Sequence, residues 1–336
     1  MKIIFYLHSP ATYQFDFFIS LFKKNIKVYV IYQNRNIDNF NWKFKKYQWV
    51  YFLNKRNPKK KIQNILKKIK PDKIVIGGYN MKYENIFQIN VNSKFFYWLE
   101  RLNNKNIFKN LIRHLILQYK LKKADGILAI GEDAKRYYQK YNNNVINLPY
   151  SIKNNHKNIL KKKYKLNFLF VGQLIKRKGL GLLINAISKI KNTSINFTIV
   201  GSGPLKKEIK TIRNINFTYY NFLNKKKLKK IYDKNSILIL PSAFDGWGVA
   251  IIEAMSRGLV ILSNQNVGAF NEYVKHGING RKIEYSTKSI VDEINFFSNY
   301  KYKIREYGIS NRKIFDKNLC NCSLAANKLE KFLKNN

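Results

Sequence analysis

Residues 238–258 read LILPSAFDGWGVAIIEAMSRG. An apolar run ends at Pro241-Ser242, a Gly246-Trp247-Gly248 turn follows, and the spacing predicts a helix from about Val249 through Met255. Strand, glycine turn and helix together form the repeating unit of a parallel sheet. The glycines let backbone come close to a ligand, and the amides of a first helical turn point the same way, making a site for hydroxyl or phosphate oxygens. Asp245 stands at the rim of this unit and Glu253 lies a little over one turn into the helix.

The same unit recurs on both sides. Strand candidates in the first half are residues 2–8, 27–33, 49–53, 73–79, 126–131 and 145–150, with a further strand-like run, FFYWLE, ending at Glu100. Between two of them, Ile62, Ile65, Leu66 and Ile69 fall at i, i+3, i+4 and i+7, one buried helix face. The polar stretch at 152–165 reads as a linker, after which strands are predicted at 167–173, 197–203, 217–222, 236–242 and 259–264. The chain is therefore expected to be α/β, two doubly wound Rossmann-like parallel-sheet domains in tandem facing a central cleft. Ligands of such sheets bind at the carboxyl ends of the strands.

The chain of 336 residues is long enough for two cores, and a hydrophobic content of 45% excludes a disordered basic tail. Its 64 Lys and Arg against 19 Asp and Glu give a net charge of +45. That charge attracts polyanions, but Lys, Asn, Ile, Tyr and Phe all have A/T-rich codons, so genome composition is an equal explanation. The lysines are scattered, with no basic stripe or stacking module, and no nucleic-acid partner is expected. Cys320 and Cys322, two apart in an expected helix, do not pair or ligate a metal and fit a reducing compartment. No run approaches about 18 apolar residues, so no span is expected, and the expected location is cytoplasmic.

Two carboxylates that accept bonds from vicinal hydroxyls suit a sugar or ribose. A helix cap at Asp245 with a salt bridge at Glu253 is the structural alternative. In VGQLIKRKG (171–179), Arg177-Lys178-Gly179 follows a strand and leads into a helix, a position from which cations can clamp a diphosphate. In a lysine-rich chain a KRK triplet is also an ordinary solvated turn.

These stretches, with IVGSGP (199–204) and NVGAFNEYVKHGING (266–280), resemble in order and spacing the second half of retaining glycosyltransferases of family 4, the glycosyl transferases group 1 type, with GT-B architecture. The match spans about residues 167–285. The resemblance implies an N-terminal acceptor-binding domain at 1–155, a nucleotide-sugar-binding domain at 165–312, and a C-terminal helix at 313–336 packing back toward the first domain. It implies that Glu253 bonds the donor ribose and Asp245 the transferred sugar. It places Gly246, Trp247, Gly248 and Val249, with Gly172, Gln173 and Arg177, around the donor, and Lys178 where charge develops on the leaving diphosphate. No metal or other cofactor is implied; the nucleotide-diphosphate sugar is substrate. The acceptor is a saccharide or lipid-linked molecule, in bacterial surface polysaccharide assembly.

Three residues depart from the family pattern: Asp245 stands where Glu is usual, Gln173 where Arg is frequent, and Val260 where Pro is usual. On the first domain, His8 and Tyr13 follow the first strand and Glu100 ends another; His8 is a candidate for catalysis, and Tyr13 and Glu100 for the acceptor. No residue presents itself as a covalent nucleophile, so the resemblance implies front-face attack. Two readings outside this one stay open: a basic polyanion-binding protein, and an enzyme of the same fold that hydrolyses or epimerises nucleotide sugars.

In residues 106–123 a helical face carries Ile107, Phe108, Leu111, Ile112, Leu115 and Ile116 beside Lys109, Arg113, Lys120, Lys122 and Lys123. A helix packed into the first domain with a solvated basic face accounts for it. So does a helix lying on an anionic membrane, at the inner face of the cytoplasmic membrane.

Overall fold

The segments KIIFYL, KIVI, NFLFV and VILS carry apolar side chains at consecutive positions, which suits a strand covered by helices on both faces. In a computed structural model, which describes residues 1–35, 47–53, 56–89, 92–103, 107–154, 163–212 and 216–336, these four are inner strands of two parallel sheets. The chain divides into two units, Met1–Lys153 with Cys322–Asn336, and Asn154–Asn321.

The first unit runs β1 (Lys2–Leu7), α1 (Thr12–Phe22), β2 (Lys27–Tyr32), β3 (Val50–Phe52), α2 (Pro58–Ile69), β4 (Lys73–Ile76), α3 (Glu84–Gln88), β5 (Lys94–Glu100), α4 (Ile107–Lys122), β6 (Gly126–Ile130), α5 (Glu132–Tyr138) and β7 (Val145–Asn147). Among the described residues its seven strands are all parallel, in the order β3-β2-β1-β4-β5-β6-β7. In α2 the buried side chains are Ile62, Ile65, Leu66 and Ile69, the set read from spacing, and Pro58 opens the helix where its missing N–H costs nothing.

The second unit runs β8 (Asn167–Val171), α6 (Leu180–Ile187), β9 (Asn196–Val200), β10 (Asn216–Tyr220), α7 (Lys225–Lys234), β11 (Ile237–Ile239), α8 (Val249–Met255), β12 (Val260–Ser263), α9 (Gly268–Tyr273), β13 (Gly280–Lys282), α10 (Thr287–Asn299) and α11 (Tyr302–Lys317). Among the described residues its six strands are parallel in the order β10-β9-β8-β11-β12-β13. The wholly buried Asn311 on α11 donates to the carbonyls of Leu259 at 2.8 Å and Asn279 at 2.6 Å and accepts from the Asn279 amide at 2.8 Å. A buried amide satisfied this fully fixes α11 against the sheet.

The last helix, α12 (Cys322–Lys334), belongs to the first unit. It buries Ala325, Ala326, Leu329, Phe332 and Leu333 and packs on α1, with Phe332 edge-on to Phe96 and an ion pair of 3.0 Å from Lys24 to Glu330.

Four details differ from the sequence reading. The helix α11 runs unbroken through residue 312, where a domain end was expected, and the second unit continues to Asn321. Residues 313–336 hold the end of α11 and then α12 as separate helices, because the turn at Asn318–Asn321 intervenes. Cys320 lies in that turn and only Cys322 in a helix; both are buried and neither forms a disulfide. A thirteenth strand, Gly280–Lys282, has no apolar run to announce it. Most of the linker read at 152–165 lies outside the described residues.

Candidate functional site

In the second unit β8 is the first strand, with β9 on one side and β11 on the other, so the order in which strands are laid across the parallel sheet reverses between β8 and β11. Loops leaving the carboxyl ends of two such strands diverge and leave a crevice, the place where open α/β sheets bind ligands. The turn after β8 is Gly172–Gly179, and the turn after β11 is Leu240–Gly248.

These two turns are clasped together at four points. Gly179, at φ 72°, opens α6 in the left-handed region, and a Cβ there would overlap the carbonyl oxygen of Pro241. The Ala243 amide donates to the Arg177 carbonyl at 2.9 Å, and Arg177 Nη1 donates to the Phe244 carbonyl at 2.5 Å. Lys178 Nζ forms an ion pair with Asp245 Oδ2, both side chains mostly covered. The Arg177-Lys178 pair thus sits in a single-turn 3-10 segment, Lys176–Lys178, rather than directly at a helix start.

The third turn joins from β9. A Cβ at Gly201 would overlap the Gly172 carbonyl oxygen, and Leu174 N donates to the Ser202 carbonyl at 2.8 Å while Leu205 N donates back to the Leu174 carbonyl at 3.0 Å. Gly172 and Gln173 are half-buried at this junction, with the Gln173 carbonyl accepting from Ile175 N at 3.0 Å.

The FDGWG turn is backed by NVGAF. Asp245 N donates to the Asn266 carbonyl at 3.0 Å, Gly268 N to the Asp245 carbonyl at 3.2 Å, and Ala269 N to the Trp247 carbonyl at 2.8 Å. Those bonds use the Asp245 amide and the carbonyls of Asp245 and Trp247. Among the described residues, the amides of Gly246, Trp247, Gly248 and Val249 have no acceptor. Four neighbouring N–H groups held in place without partners are ready donors for an oxygen-rich ligand. The Trp247 indole takes no part: it is 1% exposed and lies edge-on to Tyr273 at 5.7 Å, inside the core.

Glu253 is half-buried on α8, and its Oε2 accepts from the Tyr232 hydroxyl at 2.8 Å. Tyr232 lies on α7; burial first, and the Glu253 charge second, hold its phenol well above the usual range, so it remains a donor. Sequence reasoning passed over Tyr232, because Leu228, Ile231 and Tyr232 read simply as the apolar side of an amphipathic helix.

In the first unit, Tyr13 and Glu100 come together through a residue the sequence did not single out. The Tyr150 ring lies 4.6 Å from that of Tyr13, and its hydroxyl is hydrogen-bonded with both Glu100 and Tyr13; burial raises its phenol well above the usual range. His8 is exposed, with Nδ1 2.9 Å from Ser9 Oγ and Nε2 3.1 Å from the Asn34 amide.

Residues 151–314 match the family model for glycosyl transferases group 1. That segment is a glycosyl transferases group 1 domain. A Klebsiella pneumoniae relative, an uncharacterized 41.2 kDa protein in the cps region, is 28% identical over 151 residues, 43% of this chain and 42% of its own length. An uncharacterized glycosyltransferase of Haemophilus influenzae is 27% identical over 233 residues, 66% of this chain and 65% of its own. The chain thus spans from under half to about two thirds of these relatives. Among solved structures, Anabaena Alr3699/HepE in complex with UDP-glucose superposes over 100% of both chains with a TM-score of 0.78 at 14% identity. The shared fold is the GT-B pair of Rossmann-like domains, and the group 1 domain holds the clasped turns described above.

Proposed function

We propose that the chain transfers a sugar, with retention of anomeric configuration, from a nucleotide-diphosphate sugar to a saccharide or lipid-linked acceptor in the assembly of a surface polysaccharide. The observation that carries this reading is the clasp of Lys178 and Arg177 onto Asp245 and Phe244 beside four acceptor-free amides, at the strand reversal of the group 1 domain. Cations and amides answer a diphosphate, and carboxylates answer hydroxyls. Alr3699/HepE is a fold neighbour solved with UDP-glucose, and the Klebsiella relative lies in a cps region; both accord with the donor class and the pathway class.

Within this reading the Glu253 carboxylate, oriented by Tyr232, takes the ribose hydroxyls, and Asp245 takes hydroxyls of the transferred sugar. Lys178 exchanges its Asp245 partner for the diphosphate and stabilises the charge that grows as the C1–O bond to phosphate breaks, with no metal ion required. The acceptor hydroxyl oxygen forms the new bond to C1 on the same face, and its proton passes to the departing phosphate. Tyr13, Tyr150 and Glu100 form the acceptor-side cluster.

The test is a thermal-shift panel of UDP-, GDP- and other nucleotide sugars on the wild type and on Glu253→Ala. At ligand about 100-fold over Kd the wild type gains about 2.7 kcal/mol, enough for a clear rise in Tm. A wild type that responds to no nucleotide sugar, or a variant that responds identically, rejects the assignment.

A further inference from the structure

The helix α4 is apolar on two sides, and only one of them is used by the fold. Its inner side buries Leu117 and Leu121 completely. On the same side His114 Nδ1 lies 2.8 Å from the Tyr141 hydroxyl, and Lys120 Nζ donates to the Tyr79 carbonyl at 2.8 Å and pairs with the buried carboxylate of Glu84. These bonds fix the rotation of the helix about its axis.

The opposite side carries Leu111, Ile112, Leu115 and Tyr119, which are 64, 63, 61 and 67% exposed in the whole chain. At about 100° per residue they share an arc of about 100°, so they form one crest rather than scattered apolar sites. The side chains of Ile107 and Phe108, read from sequence onto this face, lie outside the described residues. Packing into the first unit, one of the two roles left open by the sequence, accounts for Leu117 and Leu121 and leaves the crest uncovered.

We propose that this crest seats the chain on an anionic lipid bilayer, with α4 lying in the plane of the interface. Charge selects that occupant. The helix contains no acidic residue; at its last turn Lys122 lies within the arc and Lys123 at its margin, both exposed, with Lys123 Nζ 3.8 Å over the Tyr119 ring. Apolar side chains with an amphipathic tyrosine and adjacent lysines are what a headgroup boundary receives. A second copy of a chain bearing +45 would repel the first, whereas an anionic surface attracts it. No described helix is long and apolar enough to cross a membrane, and a helix of 16 residues, about 24 Å long, suits lying flat.

The experiment is cosedimentation of the full chain with vesicles of phosphatidylcholine alone or mixed with phosphatidylglycerol, at low and high salt. Binding to the anionic vesicles that weakens with salt, and that falls about tenfold or more in Leu111→Ser/Leu115→Ser, is expected. A second variant, Tyr119→Trp, keeps the crest and is expected to show a blue-shifted difference emission on anionic vesicles. No vesicle binding, no blue shift, or binding unchanged by the serine pair, which would mean diffuse charge only, each overturns the proposal. So does a dimer that the serine pair abolishes without any vesicle binding. Nucleotide-sugar thermal shifts on the same variants report the donor site separately, since α4 lies in the other unit.

Discussion

Lys178 and Asp245 form an ion pair that joins two turns, the cation from the turn after β8 and the carboxylate from the turn after β11. A pair this well covered is expensive to break one partner at a time, because the survivor is left without its counterion. Lys178→Ala and Asp245→Ala are each expected to cost about 1–3 kcal/mol, and the double variant less than the sum. Urea denaturation of the four proteins gives the coupling. Additive costs would mean that the pair contributes nothing to the clasp.

Tyr232→Phe removes one hydroxyl and leaves the ring in its buried place. The expected loss of stability is about 1 kcal/mol, and nucleotide-sugar affinity should fall several-fold because Glu253 loses the bond that orients it. Titration calorimetry with the best nucleotide sugar from the panel checks this; affinity equal to wild type would remove Tyr232 from the site.

Gly179→Ala brings two penalties together, a left-handed φ of 72° and overlap with the Pro241 carbonyl. A cost of about 1–3 kcal/mol is expected, together with weaker nucleotide-sugar binding as the two turns are pushed apart. Gly277→Ala, at φ 78° with nothing near its Cβ, isolates the strain alone and should leave binding intact.

The legible part of this site was the local part. Residues 238–258 carry their strand, glycine turn and helix in order, and α8 spans Val249–Met255 as spacing predicted. The partner of Glu253 was not legible, because Tyr232 lies 21 residues away and its apolar neighbours hide its hydroxyl. The Tyr13, Tyr150 and Glu100 cluster forms only when the sheet brings the ends of β5 and β7 beside the start of α1. In α4 leucine and isoleucine occur on both sides, so periodicity finds a helix without ranking its faces; the bonds of Lys120 and His114 decide which face turns inward. Short β13, with Gly, Arg and Lys, has no hydrophobic signature at all.

Burial raises the pKa of Glu84, against the opposing pull of Lys120. The folded chain therefore keeps this proton to a higher pH than the unfolded chain does. The stability it contributes is full below the ordinary carboxylate range and is lost as pH rises through the raised value. Measured against Glu84→Gln, the wild type is expected to gain stability as pH falls from about 6 toward about 4. A difference between the two proteins that is flat over that range would contradict it.

The return of α12 to the first unit sets an order of events during synthesis. Leu329, Phe332 and Leu333 complete a core whose other members precede residue 154, so that core stays open while the whole of the second unit is being translated. The second unit, contiguous in sequence, can close as soon as it leaves the ribosome, and the first waits for the final helix. A nascent chain stalled before residue 322 would carry a finished second unit and an unfinished first one, with α1 still lacking its cover.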